Sequence, residues 1–301
     1  MRIDQRNAGA SVTANDQTFV VDRFKFRARL TSKMTAEQVT DVPTGQGFQY
    51  STKITSSSAY TIVSNDYFNF QQILEGQNIS HLMFGTSDAK TVTLSFWVKS
   101  SLTGNFAVAL NNYQASTRAY PAEYTINTAD TWEKKTITIQ GDTSGTWDTD
   151  NTAALGIIFS LGYGSDHEGT KNSWNSTDTN SFSGSVNLLE TNGATLYITG
   201  VQLEVGDTAT EFEHRPYDME LQRCFRYYWQ GDGTNYATQY SNGAFIICDL
   251  PTHMRVRPTT SYNSTNATGS FADYSRTNRF QLYDNTDPTY NVNTPKADAE
   301  L

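Results

Sequence analysis

Between Thr91 and Lys99 the chain reads TVTLSFWVK, and its apolar residues fall on every second position. Val92, Leu94, Phe96 and Val98 share one side; Thr91, Thr93, Ser95, Trp97 and Lys99 share the other. Successive side chains of a β-strand point to opposite faces, so this alternation describes a strand with one buried face. KTITIQG repeats the pattern with Ile137 and Ile139, and Gln49–Thr55, Tyr67–Glu75 and Phe106–Asn111 are further strand candidates. The continuous apolar run ALGIIFSLGYG suits a strand covered on both faces. Gly, Asn, Asp and Ser punctuate the intervals, the pattern of a sandwich or barrel. Composition agrees: aromatic residues reach 13% while charged residues are 18%, which disfavours disorder and favours an all-β chain.

A net charge of −9 leaves no footprint for a phosphate backbone, so nucleic acid is not an expected partner. No apolar core of a signal peptide follows Met1 and no run of 18 apolar residues occurs, so neither secretion nor membrane insertion is expected. Synthesis and assembly in a cytoplasm fit this. Cys224 and Cys248 are too few for a disulfide framework and lack metal-ligand spacing; they read as small buried apolar residues.

Residues Gly162 to Asn192 form a long turn-rich segment, which Trp174 and Phe182 are expected to pin down. Gln230 to Ala244 reads as a linker or hairpin rim, and Phe245 to Tyr262 as a strand and its continuation. The polar stretch beyond has too few apolar anchors for a core of its own, so it should pack on the first domain or on copies of itself.

The most crowded segment is Ile198–Tyr228. Leu196 and Ile198 share one strand face, but beyond Gly200 the apolar set moves to Val201, Leu203 and Val205, of opposite parity. A phase switch at a glycine marks a β-bulge. Tyr217, Leu221, Cys224, Phe225 and Tyr228 then trace the stripe of an amphipathic helix, with Pro216 at its first position. Asp218 and Glu220 fall in its first turn and Arg223 and Arg226 toward its end, as the helix dipole favours. A strand leading into a short helix that closes a β-domain accounts for the crowding without an active site.

The same residues carry a resemblance. TGVQLEVGDTATEFEHRP followed by ELQRCFRYY is similar to the closing signature of a domain found in bacteriophage tail-fibre and virion proteins. The signature falls on Gln202, Leu203, Glu204, Gly206, Phe212, Arg215, Glu220, Leu221, Cys224, Arg226, Tyr227 and Tyr228. VTLSFWVKSS, TWEKKTITI, IDQRNAG, FVVDRF, MRVRPT and the terminal ADAEL resemble other parts of that family. The resemblance implies a jelly-roll β-sandwich like carbohydrate-binding modules, followed by a short helix and a small C-terminal β-domain. The expected divisions are an arm or first strand at 1–25, the sandwich at 26–229 and the small domain at 230–301. It also implies a virion location in tail or capsid, a homo-oligomer (a trimer), contacts with other virion proteins, and recognition of a host-surface glycan. Relatives carry shaft sequence before this module, whereas here it opens near Met1. Docking to the virion is therefore expected through residues 1–25 or a face of the jelly roll.

An enzyme is not expected. His81, His167, His214 and His253 show no paired-ligand spacing and no G-x-S-x-G elbow is present. Asp166, His167 and Glu168 are the best local acid–base or metal candidates, and read as a solvated loop tip. No 20–50-residue repeat of a glycan-cleaving β-helix is visible, although paired carboxylates for glycan hydrolysis leave no sequence signature. No cofactor is expected; related jelly rolls sometimes hold a structural Ca²⁺, but no oxygen-ligand motif assigns one here. Sugar binding uses flat aromatic faces, for which the candidates are Trp97, Tyr113, Tyr120, Trp147, Tyr163 and Trp174. Of these, Trp97 breaks the polar face of its strand, and the others lie in or beside loop-like sequence, where binding residues concentrate. The competing expectation is a capsid-decorating or adaptor protein that uses the jelly roll only as scaffold.

Overall fold

The computed structural model describes residues 1–113, 115, 117–231, 237–240, 243–265, 272–273, 275–284 and 291–301. They form two compact units, Met1–His214 and Arg215–Leu301. The first contains β1 (Val12–Thr13), β2 (Phe19–Val21), β3 (Phe24–Ala28), β4 (Met34–Val39), β5 (Ser51–Ser56) and β6 (Tyr67–Glu75). It continues with β7 (Val92–Ser100), β8 (Gly104–Asn112), β9 (Ala119–Ile126), β10 (Glu133–Ile139), β11 (Ala153–Tyr163) and β12 (Thr195–Val205). Two six-stranded sheets result, in the orders β1-β4-β5-β12-β7-β10 and β2-β3-β6-β11-β8-β9. Every pairing is antiparallel, and the sheets stack as a jelly-roll sandwich. Residues 1–25 are built into it, with β1 and β2 at one edge of each sheet.

The alternation in TVTLSFWVK has the physical meaning expected of it. Val92, Leu94, Phe96 and Val98 are fully buried in the core between the sheets. Phe96 of the first sheet stands edge-on to Phe159 and Tyr124 of the second, with ring centroids 5.1 Å apart in both cases. Such pairs contribute about 0.5–1.5 kcal/mol beyond area burial. β11 is buried along its whole length, as its unbroken apolar run requires.

Gly200 lies at φ +61° where the β12–β7 register shifts between Thr199 and Gln202, so the bulge sits at the phase switch. A β-carbon there would lie 2.5 Å from the ring of Phe48, so both backbone and space demand glycine. The chain then folds back over β12. Gln202 Oε1 accepts the Glu213 N–H at 2.9 Å, and the Glu204 carboxylate accepts from the Thr210 amide and hydroxyl. Phe212 and His214 pack on Phe48 at 4.9 and 5.1 Å. Much of the crowded signature is thus a clasp at the end of the first unit.

The remainder of the signature belongs to the second unit. The helix spans Tyr217–Phe225, with Pro216 as its N-cap residue, and is followed by β13 (Tyr228–Gln230), β14 (Ala237–Tyr240) and β15 (Gly243–Asp249). Next come β16 (Thr259–Thr265), β17 (Ala272–Asp273), β18 (Arg279–Asp284) and β19 (Asn291–Asp298). They make sheets β13-β19-β16 and β14-β15-β18-β17. Phe225 packs against a core of Trp229, Cys248, Leu250, Met254, Phe280, Leu282, Ala297 and Ala299. The Arg255 amide donates to Arg226 O and the Ala299 amide to Tyr227 O, at 2.8 and 2.7 Å. Hence the helix expected to close the sandwich is counted with the second unit, and the division falls at His214. With Phe225 and Trp229 included, the polar C-terminal stretch does have a small core of its own. Tyr217, at the head of the expected stripe, is half exposed, and Tyr228, at its end, is already in a strand. Cys224 and Cys248 are both buried. Residues 232–236 and 241–242 of the expected linker or hairpin rim lie outside the described residues, while β14 and β15 pair as a hairpin beside them.

Candidate functional site

The outer face of the second sheet is assembled by strand parity. Phe24, Phe26 and Ala28 of β3 point into the core, which turns Lys25 and Arg27 to the opposite side, Lys25 buried and Arg27 partly exposed. On β6, Phe68 and Phe70 face inward and Tyr67, Asn69, Gln71 and Ile73 outward. On β11, Ile157 and Phe159 face inward and Ile158 and Ser160 outward. The register aligns Arg27, Asn69 and Ser160 in one cross-strand row, and Lys25, Gln71 and Ile158 in the next.

A sheet face beyond the core normally meets water, but this one is covered. The long segment after β11 lies over β8 and β9, where Ala107 and Ala109 leave room beneath it. The Asn111 amide donates to Asp178 Oδ1 at 2.6 Å and to Asn180 Oδ1 at 2.9 Å. Asn172 N donates to Pro121 O at 2.8 Å, and Lys171 pairs with Glu123. Two of the six aromatic candidates, Tyr113 and Tyr163, come to this face. Asn69 Nδ2 donates to the Tyr163 hydroxyl at 2.6 Å, and Gln71 Nε2 to the Tyr113 hydroxyl at 3.3 Å. Arg27 donates to Asp16 Oδ1 at 2.8 Å and lies 5.6 Å over the Tyr67 ring. His167, from the expected loop tip, stands edge-on to Tyr67 and Tyr163 at 5.8 and 5.7 Å.

Two buried atoms in the Arg27 row have no hydrogen-bond partner: Asn69 Oδ1 and Ser160 Oγ. Turning the Asn69 amide over would give the Tyr163 hydroxyl an acceptor but strand the NH₂ group instead. Either way one half of the amide is unsatisfied, and each such group costs about 1–3 kcal/mol when buried. Burial pushes the Tyr163 phenol well above its ordinary pKa, so it stays a neutral donor and acceptor. Burial lowers the Arg27 pKa, but hydrogen bonds to Asp16 and Tyr113 outweigh it and hold the guanidinium firmly protonated. The covered face therefore holds buried neutral donors and acceptors beside a permanent, partly exposed cation.

The other four candidates lie elsewhere. Trp147 is buried, edge-on to Phe84 and Trp174 at 5.0 and 5.8 Å, and donates its indole N–H to Ser144 O. Trp174 donates to Gln140 O at 2.7 Å and meets Tyr120 at 5.4 Å. These three rings fasten loops together; Trp147 also lines a cavity of ≈ 430 Å³ with Ile79, Met83 and Thr149. Trp97 is half-buried on the outer face of the first sheet, opposite Lys134 and Thr199. On that face Lys99 lies 4.2 Å over Tyr197, and Trp132 donates its indole N–H to Asp41 at 3.0 Å. Among the described residues no three His, Cys, Asp or Glu side chains converge as a metal site would require.

Lys25, Arg27, Asn69, Gln71 and Ser160 were not among the sequence candidates. Their signal was present in FKFRAR, where cations alternate with core residues, and in YFNFQQ, where amides do so.

The first unit is thus a jelly-roll sandwich with a covered polar face, and the second a small β-rich unit with one short helix. No family model and no curated protein matches the sequence. Among solved structures, the enzymatically active domain of tailspike protein 4 of bacteriophage CBA120 is similar at 14% identity and TM-score 0.38. The match covers 61% of this chain and 19% of that one, so it spans less than a fifth of that domain's length. The family 11 carbohydrate-binding module from Clostridium thermocellum, solved with a mixed-linked tetrasaccharide, is similar at 11% identity and TM-score 0.32, covering 66% of this chain and 98% of that one. A xylan-binding domain from Paenibacillus barcinonensis is similar at 11% identity and TM-score 0.31, covering 68% and 99%.

Proposed function

We propose that this chain is a non-enzymatic glycan-recognition module of a phage virion, most simply part of a tail fibre, reading host-surface sugar with the outer face of its second sheet. The observation that carries this reading is the pair of unpartnered buried atoms, Asn69 Oδ1 and Ser160 Oγ, set between the hydroxyl and amide groups of Tyr163, Gln71 and Tyr113. A sugar hydroxyl is both donor and acceptor, so it satisfies an amide or hydroxyl in either orientation. Tyr67 and Tyr113, both partly accessible, supply ring surface beside these polar groups. The virion context rests on the closing signature from Gln202 to Tyr228, and homotrimeric assembly with other virion proteins belongs to the same proposal.

The test is binding of the purified chain to an array of bacterial envelope glycans, together with competition against phage adsorption. Specific binding that falls about tenfold or more in Ser160→Ala, whose hydroxyl makes no hydrogen bond within the chain and whose removal should leave the melting temperature unchanged, is expected for a buried hydrogen bond made to ligand. If the chain neither binds envelope glycans nor blocks adsorption, it is a decorating or adaptor protein with a jelly-roll scaffold. Release of new reducing ends from those glycans would mark it as a hydrolase.

A further inference from the structure

The connection from β6 to β7 and the connection from β10 to β11 meet at one end of the sandwich, where Glu75 pairs with Ala153. The first opens with the helical turns Gly76–Ile79 and Ser80–Leu82. Backbone bonds fix it to the second: the Gln77 amide donates to Asp150 O and the Gly85 amide to Asp142 O, both at 2.7 Å. Gly76 comes so close that a β-carbon there would clash with Asp148 O, an approach only glycine permits. Phe84 and Trp147, one from each connection, meet edge-on at 5.0 Å. The cavity of ≈ 430 Å³ between the connections is therefore held open by the fold itself.

Its apolar lining is Ile79, Met83, Phe84 and Trp147, and its one charged group is Asp148. Met83 is 39% exposed and keeps a flexible apolar side chain on that lining. The neighbouring carboxylates are all employed. Asp142 accepts from Arg118 at 2.5 Å, Asp150 from the Thr152 amide and hydroxyl, and Glu75 from Gln77 Nε2 at 2.8 Å. Asp148 is partly buried, yet among the described residues its carboxylate takes part in no hydrogen bond and no ion pair. Withdrawing a charge from water without a partner costs free energy that nothing in the fold returns.

We infer that this cavity binds a small organic ammonium ion, its N–H donors on the Asp148 carboxylate and its carbon stem on Ile79, Met83 and the two rings. A neutral ligand leaves the carboxylate without a counter-charge, and an anion is repelled by it. A metal ion needs several oxygen ligands and has no use for an apolar floor. An alkylammonium matches both halves of the lining, with charge-assisted hydrogen bonds at its head and apolar burial along its stem. A free alkylamine and a lysine side chain of a partner protein offer this same chemistry. The cavity shares no residue with the face that carries Asn69 and Ser160, so this inference stands or falls apart from the glycan reading.

The experiment is nuclear magnetic resonance of the full chain, observing indole N–H and methionine methyl signals at pH 7, where alkylamines are protonated. The titrants are n-butylamine, n-butanol as its uncharged counterpart, and the blocked tripeptide acetyl-Gly-Lys-Gly-amide. Trp147 and Met83 signals should shift along one saturable curve with an amine, at least about tenfold more tightly than with n-butanol. The amine that binds more tightly identifies the source. Asp148→Asn should remove the difference and leave the melting temperature unchanged, because the carboxylate supports no contact in the chain. Asp88→Asn, at an exposed position outside the cavity, should leave the difference intact. Equal affinity for n-butanol would overturn the inference, and so would an equal loss in Asp88→Asn, which would mean attraction by net charge. Absence of shifts at Trp147 and Met83 with all three titrants would overturn it as well.

Discussion

At the scale of single residues, the structure separates side chains that build the fold from those that have no structural use. Gly200 is of the first kind: Gly200→Ala must place a methyl against the Phe48 ring from a left-handed backbone, at a cost of about 1–3 kcal/mol. Thermal melting should show the loss without any change in β-sheet circular dichroism. Glu133 is another. Burial raises its pKa, but Lys135 and hydrogen bonds from Thr128 and Asn127 prevail and hold it at about 2, against an ordinary 4.5. A depressed carboxylate contributes stability in full above its unfolded pKa and loses it as pH falls toward the folded one. Glu133→Gln should thus lower stability by about 1 kcal/mol at pH 7, after discounting for solvent screening, and the difference from wild type should vanish between pH 5 and pH 2. The Ser160 hydroxyl and the Oδ1 half of the Asn69 amide are of the second kind. Nothing in the sequence marks them, because orphan status depends on what five strands and a loop bring near them. Loop aromatics give the opposite error: Trp147 and Trp174 have the sequence context of binding residues but spend their rings and indole N–H groups on packing and backbone.

At the scale of elements, period-two alternation was sufficient for β7, β10 and β6, since a strand with one buried face writes its orientation into every residue. The bulge in β12 was legible for the same reason, as a parity switch at Gly200. The helix was legible too, but not the unit it belongs to: an apolar stripe says that something covers it and leaves unsaid which core does. The covering loop is the element whose placement the sequence hid most. It is held to the second sheet largely by polar contacts, among them those of Asn111 with Asp178 and Asn180. Asn111→Ala should loosen it, so limited proteolysis within residues 165–187 should accelerate several-fold while the sandwich melts within a few degrees of wild type. Phe96, by contrast, bridges the two sheets, and Phe96→Ala should cost roughly 3–5 kcal/mol and lower the midpoint of the whole first unit in denaturant.

At the scale of the whole molecule, chain order and spatial order diverge in an informative way. β12 is the last strand of the first unit yet lies between β5 and β7 in the interior of its sheet, so the sandwich cannot close until Val205 has been made. A fragment ending at His214 should fold with a cooperative thermal transition, and one ending before Thr195 should not. Composition and alternation announced the fold class; the polar groups outside the core of the second sheet were divided among β3, β6, β11 and the loop, and only the fold collects them. The central claim, that this face binds ligand, is tested most directly by nuclear magnetic resonance of the full chain titrated with a bound glycan from the array. Side-chain amide signals of Asn69 and Gln71 should shift with a single binding curve, while the indole N–H of Trp147 and of Trp132 stay in place. Shifts confined to Trp132, to Trp147 or to neither pair of residues, with Asn69 and Gln71 unmoved, would contradict it.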